Sequence, residues 1–372
     1  MLRPPVSLHQ DGASLSWLVE RMRSALFAAP LAALALACSS TPTTPSVDAG
    51  VTAPSTWNAH PNCREPLDSS KVILPRDDGQ HADDIEWWYW TGHLKAADGR
   101  WFGVEEVFFR AKQMNARGVM AHSALTDIAG KRFFHRSNLV LGDLTAAPAS
   151  FDYELATQTV KGGAGHDVLH GEGDGYAFDL VLDEAKRPTL QHGTGYTDYV
   201  FGGYTYYYSR ERMSAAGTIT IGDETVPVTG SAWFDHQYGD LGSAVNKGWD
   251  WFALQLDDNR EIMIFVVRDA QTPVVVGASY TDATCTTTAL EPADFEIVPQ
   301  RSWKSAKTGC TYPLDWVVRV KGETFVVTSV LDEQELWKST PIYWEGAATV
   351  TGASTGRAYV ELNGYCPASS SN

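Results

Sequence analysis

Three short peptides of this 372-residue chain set proton-transferring side chains beside large aromatic rings. The first is Glu86-Trp87-Trp88-Tyr89-Trp90-Thr91-Gly92-His93-Leu94. On an extended strand side chains alternate, so Glu86, Trp88 and Trp90 share one face and Trp87, Tyr89 and His93 the other. A carboxyl aligned with two indoles loses hydration, which raises its pKa and would let Glu86 act as an acid. A buried Glu satisfied by backbone donors is the plainer alternative. The second peptide is Ser231-Ala232-Trp233-Phe234-Asp235-His236-Gln237-Tyr238-Gly239-Asp240. If a strand continues from Val226, then Val226, Val228, Phe234, His236 and Tyr238 point one way, and the apolar members mark that way as inward. His236 beside Tyr238 is then a candidate proton-transfer pair; a structural histidine is the alternative. The third runs from Gly248-Trp249-Asp250-Trp251-Phe252 through a charged turn to Phe265-Val266-Val267-Arg268-Asp269. Asp269 shares parity with Met263, Phe265 and Val267, and a carboxyl ending such an apolar row would have a raised pKa, unless it is simply a solvated strand end.

Strands must hold these peptides. The segment 217–229 is two alternating runs joined through Gly222-Asp223, a hairpin signal. Residues 261–269, 315–322 and 324–332 are rich in β-branched side chains, and 347–364 again reads as two strands around a small-residue turn. No window shows a long run with helical periodicity. Many short strands separated by turn signals predict an all-β protein of the barrel or sandwich kind. The length predicts two domains, 60–210 and 211–370, divided after the Tyr-rich stretch 204–210. The chain has 13 Trp, 15 Tyr and 14 Phe, enough for wide aromatic walls, and an aromatic cavity shared by the domains is expected.

The net charge of −16 would repel a phosphate backbone, so nucleic acid is not an expected partner. Residues 24–37 are apolar, follow Arg21 and Arg23, and are too short to span a bilayer. They end in Ala35-Leu36-Ala37-Cys38, which resembles a lipoprotein export signal with Cys38 as the lipidated first residue; a plain signal peptide cut nearby is the alternative. Ser39 after the cysteine resembles outer-membrane sorting in a Gram-negative cell. The expectation is a signal at 1–37, then a lipidated Cys38 and a Ser/Thr/Pro/Ala-rich tether through residue 59, with the membrane met only through the anchor. Cys63, Cys285, Cys310 and Cys366 remain, an even number that predicts two disulfides in an exported protein. Of the three pairings possible, Cys63–Cys366, tying the ends together, and Cys285–Cys310, closing a strand-loop-strand, are favoured.

The peptides EWWYWTGHL, AHSALTD (121–127), GSAWFDHQYGD, GWDWFALQLDD and AYVELNGY together resemble the hydroxyneurosporene synthase (carotenoid 1,2-hydratase)/AttH family over about residues 75–365. That family is described as secreted hydrolases with lipocalin-like domains. In its hydratases an HxW pair and a YxD pair serve to protonate an isolated double bond and add water. HxW maps to His236 and Tyr238, with Tyr in place of Trp; YxD maps to Val267 and Asp269, its Tyr missing. The resemblance implies two lipocalin-like domains and a hydro-lyase acting without a cofactor on an apolar, isoprenoid-like small molecule. Asp269, held neutral by burial, would protonate the alkene. His236 would take a proton from the attacking water, with Tyr238 as the third catalytic residue. Glu86, Trp88, Tyr89, His122, Trp249 and Trp251 would line the substrate. A non-catalytic carrier of a lipid or pigment across the envelope is the rival expectation.

Other motifs fall away. Gly352-Ala353-Ser354-Thr355-Gly356 fits a nucleophile elbow, but a strand follows it where a helix is required. His166 and His170 lack the context of a zinc helix, and Gly171–Gly175 lacks the spaced carboxylates of a calcium loop, so no metal site is expected.

Overall fold

A computed structural model describes residues 60–366 apart from 114–115, 200–201, 243–246 and 271. The apolar run at 24–37, Cys38 and the tether lie outside the described residues.

The described chain is built of antiparallel strands in two curled, barrel-like sheets. The first sheet takes β1 (Ile85–Ala96), β2 (Trp101–Gln113), β3 (Ala116–Asp127), β4 (Arg132–Leu141), β5 (Phe151–Leu155) and β6 (Gln158–Gly163). It continues with β7 (His166–Gly173), β8 (Tyr176–Glu184), β9 (Thr189–Leu190), β10 (Tyr196–Asp198), β11 (Tyr204–Ile221) and β12 (Glu224–Asp240). Its order is β4-β3-β2-β1-β12-β11-β8-β7-β6-β5, with β9 and β10 also on β11. The second sheet takes β13 (Gly248–Leu256), β14 (Glu261–Asp269), β15 (Thr272–Thr281), β16 (Thr287–Leu290) and β17 (Phe295–Lys304). Then come β18 (Thr311–Val320), β19 (Glu323–Ser329), β20 (Tyr343–Gly352) and β21 (Gly356–Asn363), in the order β16-β15-β14-β13-β21-β20-β19-β18-β17.

Alternation explains the strands. In β8, Tyr176, Phe178, Leu180 and Leu182 enter the first core while Asp179 and Asp183 face out. In β18, Tyr312, Leu314, Trp316, Val318 and Val320 do the same for the second. Each such large apolar side chain contributes about 1.5–3 kcal/mol on burial. The predicted hairpin is β11–β12: Ile221 pairs with Glu224, and Gly222 takes the left-handed φ of 60° that the turn needs. The Gly352–Gly356 segment is the turn between β20 and β21.

The boundary expected near residue 210 falls inside β11, where a bulge shifts the register between Arg210 and Met213. The strand runs on, and the change of sheet comes between Asp240 and Gly248. The bulge leaves Arg210, Glu211 and Arg212 all buried. Arg210 reaches Asp78 and Glu184 on the first-sheet side, whereas Arg212 bonds Glu261 of the second sheet, which also takes Lys186 Nζ at 2.7 Å.

A third cluster joins the two sheets: Tyr89, Val107, Tyr207 and Trp233 from the first against Trp251, Ala253, Met263, Ala347 and Tyr359 from the second. Of these rings, expected to wall a shared cavity, Tyr89 and Trp233 meet Trp251 edge-on across the layer, with centroids 5.3 and 5.9 Å apart. Inside the first sheet, a void beside Trp90, Glu106 and Phe178 measures about 10 Å³, room for one water.

All four described cysteines form disulfides, but Cys63 bonds Cys285 and Cys310 bonds Cys366. The favoured pairing assumed that the chain ends meet each other. Instead Cys63, whose carbonyl accepts from Arg187 N at 2.9 Å, meets the β15–β16 turn. The C-terminal end runs beside the start of β18, where Thr311 N donates to Tyr365 O at 3.3 Å.

Candidate functional site

Alternation along β1 and β12 sorts the expected site residues into two groups on opposite faces of the first sheet. Glu86, Trp88, His236 and Tyr238 face the interior of that sheet; Tyr89 faces the second sheet with Trp251, Trp249 and His122. Asp269 belongs to neither.

Asp269 is 68% exposed and pairs with Lys247 Nζ at 2.9 Å. The reason is where the strand ends. In β14 the even residues Ile262 and Ile264 enter the second core, Val266 is buried after them, and Arg268 follows to bind Asp250 at 3.0 Å. The odd row starts at the buried Met263, becomes half-buried at Phe265 and Val267, and reaches solvent at Asp269. The expected buried acid at this position is therefore not present, and Asp269 and His236 do not share a site.

The carboxyl that His236 meets is Glu86, which pairs opposite Tyr238 on the neighbouring strand. His236 Nε2 lies 3.0 Å from Glu86 Oε1, and both side chains are fully buried. The same oxygen is 2.7 Å from His81 Nδ1, while Glu86 Oε2 accepts from Arg110 at 3.0 Å. Burial alone would raise the Glu86 pKa, as its two indole neighbours suggested. The hydrogen bonds from His236 and His81 outweigh burial and hold it below the usual carboxylate range. Burial lowers the His236 pKa, against the Glu86 bond. His81 goes the other way: burial lowers its pKa, but Asp77 and Glu86 together raise it. Glu86 is thus held toward its anion, a poor acid.

The inter-sheet group has the opposite character. Tyr89 donates to Glu345 Oε1 at 2.7 Å and meets Trp251 edge-on, with ring centroids 5.3 Å apart. Tyr343 donates to Glu105 Oε1 at 2.7 Å, and its hydroxyl lies 2.9 Å from His122 Nδ1. Glu361 stands directly opposite Glu345 across β20–β21 and opposite Trp251 across β13–β21. Trp251 Nε1 donates to Tyr207, whose hydroxyl donates to Asp235 Oδ2 at 2.5 Å. Glu105 and Glu345 are fully buried, and each keeps one oxygen without a partner.

Burial dominates here. It pushes Glu105 up to about 8, helped by the nearby Glu361 and opposed by Tyr343. It pushes Glu345 well above the usual range, with Glu105 and Glu361 adding to the effect. It brings Glu361 to about 7 and Asp235 to about 6, against the hydrogen bonds each receives. Carboxyls this close cannot all ionise, so protons are retained at neutral pH. Burial also holds His122 neutral, with its pKa near 3. The chain thus holds neutral carboxylic acids, but on Glu105 and Glu345, with Glu361 mid-titration near neutral pH. Their signal in the sequence was one or two carboxyls inside an otherwise largely apolar strand, as in Val104–Phe109 with Glu105 and Glu106, Tyr343–Val350 and Ala358–Leu362.

A family model described as AttH-like matches residues 65–365. The kievitone hydratase of Fusarium solani subsp. phaseoli is 21% identical over 303 residues, covering 76% of this chain and 81% of that protein. Among solved structures, an AttH protein from Nitrosomonas europaea has 28% identity and a TM-score of 0.73, covering 80% of this chain and 98% of that one. The kievitone hydratase of Nectria haematococca has 18% identity and a TM-score of 0.63, covering 79% and 93%, and shares the fold. With most of its length matched by the family model, the chain belongs to the AttH-like family.

Proposed function

We propose that the protein adds water to an isolated double bond of an apolar, isoprenoid-like molecule, in the layer between the two sheets. One observation carries this reading: the buried carboxyls of Glu105 and Glu345 favour their protonated forms in the layer that holds the rings of Tyr89, Trp249 and Trp251. The likeness to a relative named as a hydratase supports it.

In this mechanism Glu345, whose Oε1 is fixed by Tyr89, gives its proton to one alkene carbon. The cation formed on the other carbon is stabilised by the faces of Trp249, Trp251 and Tyr89. Water attacks that carbon and returns a proton to the carboxylate, so the net change is one water added. Tyr343, held by His122, fixes Glu105, whose own proton keeps a second negative charge out of the layer. Positioned acid–base assistance of this kind contributes roughly 10²–10⁴-fold, and the dry aromatic layer supplies the remaining stabilisation. Export through the 24–37 run and lipid anchoring at Cys38 belong to the same reading; the two disulfides support an oxidising compartment.

The test is incubation with a panel of isoprenoid alkenes in isotopically labelled water, with mass detection of the hydrated product. Glu345→Gln keeps the shape and removes the proton, so it should lower turnover by roughly 10²–10⁴-fold with little change in ligand binding. Asp269→Asn should leave turnover unchanged. A wild-type chain that retains an apolar ligand yet incorporates no label overturns the enzyme reading in favour of a carrier.

A further inference from the structure

The constellation around Glu86 is not used by the proposed hydration, and it has the form of a metal-binding site. We infer that His81, Glu86 and His236 bind one divalent transition-metal cation of the zinc class. The three donor atoms lie within 4.8 Å of one another, and a single carboxylate oxygen, Glu86 Oε1, sits between His81 Nδ1 at 2.7 Å and His236 Nε2 at 3.0 Å. Zinc takes imidazole nitrogen at about 2.0–2.1 Å and carboxylate oxygen at about 2.0–2.2 Å, which places its donors roughly 3–3.5 Å apart. Small side-chain rotations therefore convert the hydrogen-bonded triad into a coordinating one.

The surroundings have the features of a site built for an ion. A histidine that ligates a metal is oriented by a partner on its other nitrogen. Both imidazoles have one. His236 Nδ1 lies 3.3 Å from the hydroxyl of Tyr208, which itself donates to the buried Asp78. His81 Nε2 lies 3.6 Å from Asp77 Oδ1. Both rings are also locked by stacking: His81 on Tyr238 with centroids 3.4 Å apart, and His236 on Trp88 at 4.7 Å. Arg110 donates to Glu86 Oε2, to Asp143 at 2.8 and 2.9 Å and to the His81 carbonyl at 2.8 Å, and the His81 N–H donates to both Glu86 oxygens, at 3.1 and 3.0 Å, so the carboxylate is fixed with Oε1 turned to the two imidazoles. His81 is 19% exposed, so an ion can enter from that side. Three protein ligands with one open side is the ligand count of an exchangeable, chemically active zinc site. The exposed histidines are different: His166 and His170 pair with Asp183 and Asp179 on the outside of the sheet.

The experiment uses the folded chain stripped with a chelator and titrated with zinc or with cobalt(II), whose visible spectrum reports coordination. One equivalent should bind, with a cobalt spectrum of low coordination number. His81→Ala, at the partly exposed edge and so compatible with folding, should weaken binding by at least about a hundredfold, and Tyr208→Phe by about tenfold. The double variant His166→Ala/His170→Ala should bind as the wild type does. The inference is overturned if the folded wild type takes up no stoichiometric ion, if His81→Ala binds equally well, or if the double variant is the one that loses binding. Because these readouts are independent of alkene turnover, a failure here leaves the hydration reading standing, and the reverse holds too.

Discussion

A carboxyl that keeps its proton in the folded chain makes folding less favourable as the pH rises. Glu105 moves from an ordinary 4.5 to about 8, so between those values the native state holds a proton that the unfolded chain has released. Stability from this group is present in full below the lower value and is lost as pH climbs toward the upper. Glu361 and Glu211, both near 7, act in the same sense. The buried imidazoles His93 and His122, near 3, act in the opposite sense, but only below their ordinary 6.5. Unfolding free energy should therefore fall between about pH 6.5 and 8, by up to about 1.4 kcal/mol per pH unit for each carboxyl. Urea unfolding across that range checks it. Glu105→Gln should flatten the slope, and a wild-type curve that is level or rising would show that these carboxyls are ionised. The same residues mark the limit of what the sequence could tell. Parity along one strand was readable, and it placed Glu86, Trp88 and Trp90 opposite Trp87, Tyr89 and His93, as observed. Which carboxyl stays neutral was not readable. That depends on partners elsewhere in the chain: His236 and His81 hold the Glu86 carboxyl below the usual range, and Asp269 passes the covered end of its row.

At the scale of elements, β11 does most to bring the two sheets together. Its bulge turns Arg212 toward Glu261 on β14, and Lys186 meets the same carboxylate. Glu261 has no exposure, so two cations depend on one buried anion. Glu261→Ala would remove the carboxylate that both cations meet and should cost about 3–5 kcal/mol, measured by chemical denaturation. A loss below about 1 kcal/mol would mean that water reaches the pair. Strand identity here was legible, because a two-residue period over β-branched and aromatic residues has one structural solution. The hairpin at Gly222-Asp223 was legible for the same reason, through its turn chemistry. The sheet boundary was not. The Tyr-rich segment 204–210 looks like the end of a domain by composition, but its backbone is paired with β12 along most of its length. A bulge has no strong sequence signature when it is built from Arg-Glu-Arg.

For the whole molecule, the cross-links matter more than their number. Cys63–Cys285 spans 222 residues and joins the segment before β1 to the β15–β16 turn. Replacing both cysteines by serine should cost about 2–5 kcal/mol, read as a lower unfolding midpoint, and an unchanged midpoint would show that the unfolded chain is already constrained there. Four cysteines predicted two bonds, but their pairing depends on where the chain ends lie in space, which the spacing does not encode. The pairing found has a mechanical consequence. Covalently, the shortest path from Cys63 to Cys366 crosses to Cys285, follows the chain to Cys310, and crosses again. Every strand of the first sheet, and β18 through β21 of the second, lies in a loop off that path. Tension applied between Cys63 and Cys366 loads only the stretch from Cys285 to Cys310 that holds β16 and β17, so the residues of both candidate sites lie in loops shielded from pulling.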